Sequence, residues 1–547
     1  MKLTVCFVVV VMCLGAVLAA QDHSMASHSR PVTLVTGLGD LHHPVSTKNA
    51  EAQKFFDQGL RFIYAFNHDE AARSFHKAAE LDPKLAMAWW GVAEAVGPNY
   101  NDPASEERFK EAHDAIQKAS DLSGAASASE KAYIAAMAKR FPADPKSDLR
   151  KAAEDYRDAM REVMKSFPDD LDAATLFAEA GMNLHPWGLW QHDGTPREGT
   201  DEIVATLESV LKREPNHLGA VHYYIHATEA SVSPERALAG ANRLAALAPG
   251  AGHIVHMPAH VYIRTGDYDQ AVKTNIEAAA ADEAYLKGAS GPSMYSGMYY
   301  SHNLHFIAIA ASMQGDFAQA KSGADRLVAH VQPMIKEMPM LEGFLTIPTA
   351  VQLRFDRWND VLKTPKPDAS LPVATTFWHY AQGVALAETG KPDQAEKERQ
   401  TVEAAWNATP ADAIFAPPFN NKTKDILRIA NDVLTAKIAM ARNDRPAAIA
   451  SLRDAVTVQD SLNYGEPPDW YFPVRESLGA VLLMNGDAKG AEQVFREDLE
   501  KNPRNPRSLF GLRESLKAQD RNYDAGFVDK QFREAWKGGE VKVADLV

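Results

Sequence analysis

The chain has 547 residues, which is enough for two to four domains of ordinary size or for one long repeat array. Charged residues make up 24% of the sequence and hydrophobic residues 46%, the usual balance of a folded protein. The formal net charge is −14. This charge argues against nucleic acids and anionic membrane surfaces as main partners, because both require a basic face.

The first twenty residues predict a secretory signal peptide. Lys2 supplies the positive start, an apolar run follows, and residues 18–20 offer a small-residue cleavage site. We therefore expect an exported protein, periplasmic or secreted, without membrane contact once the signal is cleaved; an uncleaved anchor is the alternative. Cys6 and Cys13 are the only cysteines in the sequence and both lie in this segment. The mature chain should then form neither disulfides nor thiolate metal sites.

Residues 21–48 are polar and contain proline, and we expect a flexible lead-in there. Beyond them one pattern recurs: a helix, a tight turn that combines Gly or Asn with Asp, and a second helix that opens with small residues. The pattern occurs at 262–272, 311–320, 386–395, 438–448 and 482–491. Gly266 marks the turn of one unit, and Pro215 and Pro249, 34 residues apart, close the two units before it.

This pattern resembles the tetratricopeptide repeat (TPR) family, whose unit is a 34-residue helix–turn–helix. The resemblance covers roughly residues 50–120 and 165–520 and extends to exported bacterial repeat proteins. It implies an all-α fold, an α-solenoid of helix–turn–helix repeats. We divide it into N-terminal TPR-like helices (49–165), central units (166–335) and C-terminal units (336–547). Such arrays usually present a concave groove, so a protein, peptide or small ligand is the implied partner.

Seven histidines fall at only three positions of the repeat, the second, fifth and ninth. They are His222, His226, His253, His256, His260, His302 and His305. Spacings of three and four residues place them on one face of a helix. In the family this face lines the concave groove. Chance placement is a poor account of such regularity, although duplication of one unit would also produce it.

These imidazoles predict a site for one or two transition-metal ions. Packed helices stand about 8–10 Å apart, so side chains from neighbouring units can share an ion. Glu229 lies on the same face, and Glu179 falls level with His226 and His260; either carboxylate is a candidate general base. Without thiolates such a site suits zinc, copper, iron or nickel, and export favours zinc or copper over iron or nickel.

Three functions follow from this pattern. The first, which we favour, is an interaction module whose groove binds a metal or another ligand. The second is a metalloenzyme in which the metal activates water or oxygen and Glu179 or Glu229 acts as base. The third is a metal-free scaffold for a partner protein, with structural histidines. Neither a phosphate loop nor a His-Glu-x-x-His motif is present to suggest another chemistry.

Overall fold

The computed structural model describes residues 31–144, 146–288, 293–416 and 421–547. The predicted signal peptide therefore lies outside the described residues. Within these ranges the elements are helices, and strand-like pairing is limited to isolated bridges such as the one between Trp190 and Pro196. The predicted all-α solenoid of helix pairs is confirmed. No helix in the described ranges is both long and apolar enough to span a bilayer.

The N-terminal part of the array consists of successive helix pairs. They are α1 (Ala50–Tyr64), α2 (His68–Leu81), α3 (Ala86–Val96), α4 (Glu106–Leu122), α5 (Ala128–Arg140), α6 (Leu149–Ser166) and α7 (Leu171–Met182). Small residues allow the first of these helices to cross closely, because a Cβ atom on Gly59 would lie 2.6 Å from the Phe75 ring. The small-residue positions of the repeat pattern are thus packing contacts.

The central part carries the histidine-rich helices. It comprises α8 (Thr200–Arg213), α9 (Leu218–Thr228), α10 (Leu238–Leu247), α11 (Gly252–His256), α12 (Pro258–Thr265), α13 (Tyr268–Leu286), α14 (Ser301–Met313) and α15 (Phe317–Val331). Pro258 has no backbone N–H, so it divides one predicted helix into α11 and α12. A π-helical turn over Tyr295–Tyr300 leads into α14 and marks the end of an insertion in the repeat.

The C-terminal part continues the array and then folds back onto its centre. It comprises α16 (Ile347–Arg354), α17 (Trp358–Val361), α18 (Pro372–Glu388), α19 (Pro392–Ala408), α20 (Thr423–Ala441), α21 (Arg445–Asp460), α22 (Val474–Met484), α23 (Ala488–Lys501), α24 (Pro506–Lys517) and α25 (Asn522–Ala535). Arg504 forms an ion pair with Asp267, and the Lys537 amide donates to the Gln314 carbonyl at 2.8 Å. The C-terminal units therefore touch the turns of the central units.

Of the expected flexible lead-in at 21–48, residues 21–30 lie outside the described residues, and hydrogen bonds hold residues 31–48 against the array. The His43 ring bonds the Asp172 carboxylate at 2.8 Å, and the Gly250 amide donates to the Gly37 carbonyl at 2.7 Å. Leu38 is buried in the same core as the first helices. A polar composition suggested a mobile segment, but its polar groups pair with partners far away in the sequence.

The buried apolar side chains of the described residues form three large clusters and one small one. One apolar cluster runs from Leu38 to Val261, across the boundary at 165, and a second runs from Ala259 to Val351, across the boundary at 335. A third large cluster occupies residues 377–546. Each repeat packs on its neighbours, so the clusters follow one another along the chain.

Candidate metal centre

The structure gathers six of the seven predicted histidines into two groups of three. The first triplet is His222, His226 and His253, and the second triplet is His256, His260 and His302. Within each triplet one ring nitrogen per residue lies within 4.8 Å of the other two. Each triplet takes two histidines spaced four residues apart from one repeat and a third histidine from the next repeat.

The second triplet is the repeat copy of the first. His222 and His226 lie 34 residues before His256 and His260, and His253 lies 49 residues before His302 because an insertion separates the units. His305 occupies the position at which a third triplet would start. Four residues later, where the second histidine of a triplet would lie, the chain has Ile309 instead, so the series stops after two triplets.

Hydrogen bonds orient the first triplet from outside. His222 Nδ1 lies 2.6 Å from the Tyr64 carbonyl oxygen, which can only accept, so this nitrogen carries the proton. His226 Nδ1 lies 2.7 Å from Glu229 Oε1. The Nε2 atoms of His222 and His253 face each other at 3.1 Å. His226 Nε2 and His253 Nδ1 are buried without a partner.

The second triplet is oriented in the same way. His256 Nδ1 lies 2.6 Å from Asn275 Oδ1, and Asn275 Nδ2 donates to the Ala271 carbonyl at 2.7 Å, which settles how the amide is turned. His260 Nδ1 lies 2.5 Å from Glu229 Oε2. The two Nε2 atoms of His256 and His260 are only 2.8 Å apart. With both Nδ1 protons given to oxygen acceptors, this close contact requires a cation between the rings, either an additional proton or a metal ion.

Glu229 connects the two triplets, since one carboxylate oxygen accepts from His226 and the other from His260. Tyr464, from the segment before α22, donates a further hydrogen bond to Glu229 Oε2 at 3.2 Å. Both carboxylate oxygens are therefore engaged. This arrangement suits a residue that positions imidazoles better than one that takes protons from a substrate.

Electrostatics keep the site in the protonation state that metals bind. Burial lowers the pKa of five of the imidazoles, those of His222, His226, His253, His256 and His302. Burial raises the pKa of Glu229, but His260 and His226 outweigh it and bring that pKa below its ordinary value. At neutral pH these five rings are neutral and the carboxylate is charged. Neutral imidazole is the form that coordinates a metal.

Aromatic side chains enclose the triplets. Phe66 stacks on His226 and His253, at centroid distances of 5.6 and 5.3 Å, and Tyr100 lies 5.2 Å from the His226 ring. On the other side Phe306 contacts all three rings of the second triplet at 4.8–5.0 Å. These walls limit access by water, which strengthens electrostatic interactions within the site.

Two of the predicted site residues lie away from the triplets. Glu179 bonds Asn183, and burial together with Glu94 raises the pKa of its carboxyl to about 8. Its contacts are in the N-terminal core, so the structure does not bring it to the imidazoles as its repeat position suggested. His305 packs against Phe344 and Tyr471 at 5.5 and 5.6 Å.

Three residues that orient the rings or Glu229 escaped the sequence analysis: Tyr64, Asn275 and Tyr464. Asn275 had a signal, since it is a polar residue on the buried face of an Ala-rich helix. Tyr64 acts through its backbone carbonyl, which leaves no trace in the sequence. Tyr464 reaches Glu229 from 235 residues away.

A third cluster, His43 with Asp170 and Asp172, has metal-like spacing but other partners. Asp172 already accepts from the Tyr64 hydroxyl at 2.6 Å and from His43. Burial lowers the pKa of His43, but the Asp172 carboxylate outweighs it and raises that pKa to about 9. His43 is therefore cationic at neutral pH, and the cluster is a buried ion pair rather than a set of free ligands.

No protein-family model and no curated protein matches this chain. Among solved structures the chain is similar to the human IFIT1 dimer with PPP-AAAA, at 11% identity and a TM-score of 0.34, with 89% of this chain and 91% of that chain covered. It is also similar to yeast Tom70, at 12% identity and a TM-score of 0.31, covering 89% and 100%. A third similar structure is the TPR domain of P58(IPK), at 12% identity and a TM-score of 0.21, with 86% of this chain and 99% of that chain covered. Similarities this low carry no argument about the site.

Proposed function

We propose that this protein binds two transition-metal ions, one at each histidine triplet, and that its groove acts as a metal- and ligand-binding module. The observation that carries the proposal is the contact between His256 and His260. Their Nε2 atoms lie 2.8 Å apart although both Nδ1 atoms face oxygen acceptors. Two lone pairs at this distance repel each other unless a cation lies between them.

A metal ion accounts for the contact better than a proton does. A shared proton would join two rings, whereas each triplet brings three ring nitrogens to within 4.8 Å of one another. Bonds of roughly 2.0–2.1 Å at tetrahedral angles separate neighbouring ligand nitrogens by about 3.3 Å. The 2.8 and 3.1 Å contacts need to open only slightly to reach that separation.

The outer hydrogen bonds support the same reading. Metal-bound histidines commonly donate their second N–H to a carboxylate or a carbonyl, which fixes the ring and raises its basicity. His222, His256 and His260 have such acceptors in Tyr64, Asn275 and Glu229. With three nitrogen ligands and no thiolate, zinc or copper is our expected ion, ahead of iron or nickel. Export, if the predicted signal is used, would favour the same two ions.

A catalytic role is the second candidate function. Three protein ligands leave a coordination position open, as in catalytic rather than structural zinc sites. Glu229 is held by His226, His260 and Tyr464, so we assign it a positioning role in either case. A reaction would therefore need another base, either the substrate itself or the hydroxide that a bound metal would generate by lowering the pKa of water.

Metal analysis of the purified chain tests the proposal. We expect about two equivalents of one transition metal per chain, about one in His222→Ala or His256→Ala, and none in the double variant. His379→Ala is the matched control, because His379 bonds Glu398 at 2.5 Å outside the triplets. A folded chain without metal, or a stoichiometry that the histidine substitutions leave unchanged, would overturn the proposal and favour a metal-free scaffold.

A further inference from the structure

A cavity of about 370 Å³ lies against both triplets. His226 and His253 of the first triplet and His260 and His302 of the second are among its lining residues, and we call these four its histidine wall. The remaining lining is mainly apolar and aromatic, and it includes Met298, Phe344, Phe415 and Tyr471. Pockets for small molecules have volumes of about 300–1,000 Å³ and a largely apolar lining with few polar groups, and this cavity fits that description.

The polar atoms of the cavity wall point to a ligand. His226 Nε2, His253 Nδ1 and His305 Nε2 are all buried without a hydrogen-bond partner, and all three residues line this one cavity. Buried polar atoms in native proteins are nearly always satisfied by protein, water or a bound group. His226 Nε2 is the nitrogen that would hold the metal of the first triplet, so the nitrogens of His253 and His305 are the ones that remain to meet a group bound in the cavity.

Two lining methionines connect the cavity with the surface. Met294 and Met340 line the cavity and are 39% and 47% exposed, unusually open for large apolar side chains. Methionine is flexible and accommodates apolar ligands of different shapes. The acidic residues that line the cavity are Asp102, which forms an ion pair with Arg108, and Asp469, whose pKa burial raises to about 7. No Lys or Arg is among the described lining residues, so a ligand body with negative charge would find no basic partner there.

From this geometry we propose that the cavity binds a small molecule with an uncharged aromatic body and one lone-pair donor at its end, such as an azole nitrogen or a phenol oxygen. The aromatic body lies between the methionines and Phe344, and the donor end occupies the open coordination position at the histidine wall. This inference rests on the proposed function, because the donor end needs a metal. It names the class of ligand that the module takes.

The test uses 4-phenylimidazole and imidazole as probes of the mature, metal-loaded chain in calorimetric titrations. Both probes offer the same donor nitrogen, and only the first has an aromatic body. Because burial of the apolar phenyl group is favourable, 4-phenylimidazole should bind at least about tenfold more tightly than imidazole. Equal affinities would overturn the inference.

A cavity-filling variant gives the second arm of the test. Gly343 lines the cavity and has no atom within 4 Å of a built Cβ position, so Gly343→Phe can fill space without a backbone clash. We expect at least a tenfold loss of 4-phenylimidazole affinity, with metal content and imidazole affinity unchanged. Gly124→Phe is the matched control, because Gly124 also has open space in a short 3-10 turn but lies outside the cavity.

The two proposals fail in different ways. A chain that holds no metal overturns the proposed function, and this inference falls with it. A chain that holds two metal ions but does not distinguish the probes, or whose Gly343→Phe variant still binds 4-phenylimidazole normally, overturns this inference alone.

Discussion

Tyr464 donates a hydrogen bond to Glu229 at 3.2 Å, joining positions 235 residues apart in the chain. Glu229 in turn orients His226 of the first triplet and His260 of the second. Arg264 lies over the Tyr464 ring at 5.6 Å and donates to the Glu229 carbonyl at 3.0 Å. The segment before α22 therefore covers the histidine sites from the C-terminal side. The Glu229 carboxylate links this segment to both sites.

Glu229→Gln should weaken both metal sites together. An amide has a single acceptor oxygen, so one of the two histidine N–H groups would lose its acceptor and meet an N–H donor instead. Losses of about 10- to 100-fold in metal affinity follow such changes around a site. Competition against a chelator measures them. Glu208→Gln, which affects a pair with Arg236 on the surface, should leave affinity unchanged. Normal affinity in Glu229→Gln would contradict the positioning role.

Asn275→Leu should weaken one site only. Asn275 contacts His256 of the second triplet, and its other hydrogen bond is to the Ala271 carbonyl. Without the amide oxygen, His256 loses the acceptor that orients it, so we expect a loss of about 10- to 100-fold for one of two ions. A two-step chelator titration resolves the two affinities. Asn242→Leu, which removes an acceptor of the Tyr262 hydroxyl, is the control. A loss at both sites would mean that the triplets do not act separately.

His68 provides a pH-dependent term in stability. Burial lowers the pKa of His68 to about 3, well below the value of about 6.5 that it has in an unfolded chain. As the pH falls below 6.5 the unfolded chain takes up a proton that the folded chain does not, so stability is lost towards lower pH. The His68→Phe variant has no imidazole at this position, so its unfolded chain does not take up this proton. Relative to the parent, its unfolding free energy should rise by about 1.4 kcal/mol per pH unit between pH 6 and 4.

Urea unfolding of the metal-free chain and the variant at several pH values measures that difference. Both proteins keep all other titrating groups, including the buried carboxyl of Glu466, whose pKa burial raises to about 8. Their effects cancel in the comparison. Parallel stability curves for the two proteins would show that His68 is protonated equally in the folded and unfolded states.

Gly266→Ala should loosen the contact between the central and C-terminal units. Gly266 has a φ of +76°, and a Cβ atom there would clash with the Pro503 carbonyl. Gly390→Ala is a matched control, because Gly390 also has a φ of +76° but has no atom within 4 Å of a built Cβ position. An alanine at positive φ costs about 1 kcal/mol of backbone strain in both variants, whereas the clash with the Pro503 carbonyl occurs only in Gly266→Ala.

Hydrogen exchange measures this difference locally. Residues 464–505 should lose protection in Gly266→Ala and keep it in Gly390→Ala, because only the first substitution separates the units. If the two variants exchange alike, the contact between Gly266 and Pro503 does not help to hold the C-terminal units against the central units.

Part of the site was open to prediction because the repeat has a fixed length. His222 and His256 are 34 residues apart, so the sequence alone places them at equivalent positions of the repeat. The grouping into triplets could not be predicted, since it depends on how far one repeat is rotated relative to the next. Glu179 illustrates the limit: it occupies an equivalent position, yet its helix carries it to Asn183 and the N-terminal core.

The sequence by itself determined the all-α repeat architecture and the face on which the histidines lie, because helical periodicity and the spacing of turn residues are local properties. Tertiary structure decided what those histidines meet. Asn275 meets His256 through the pairing of two helices in one unit, whereas Phe66 reaches the imidazoles, and Tyr464 reaches Glu229, from segments far away in the chain. The direction of each ring nitrogen depends on such contacts, and contacts between distant segments have no periodic signature in a single chain.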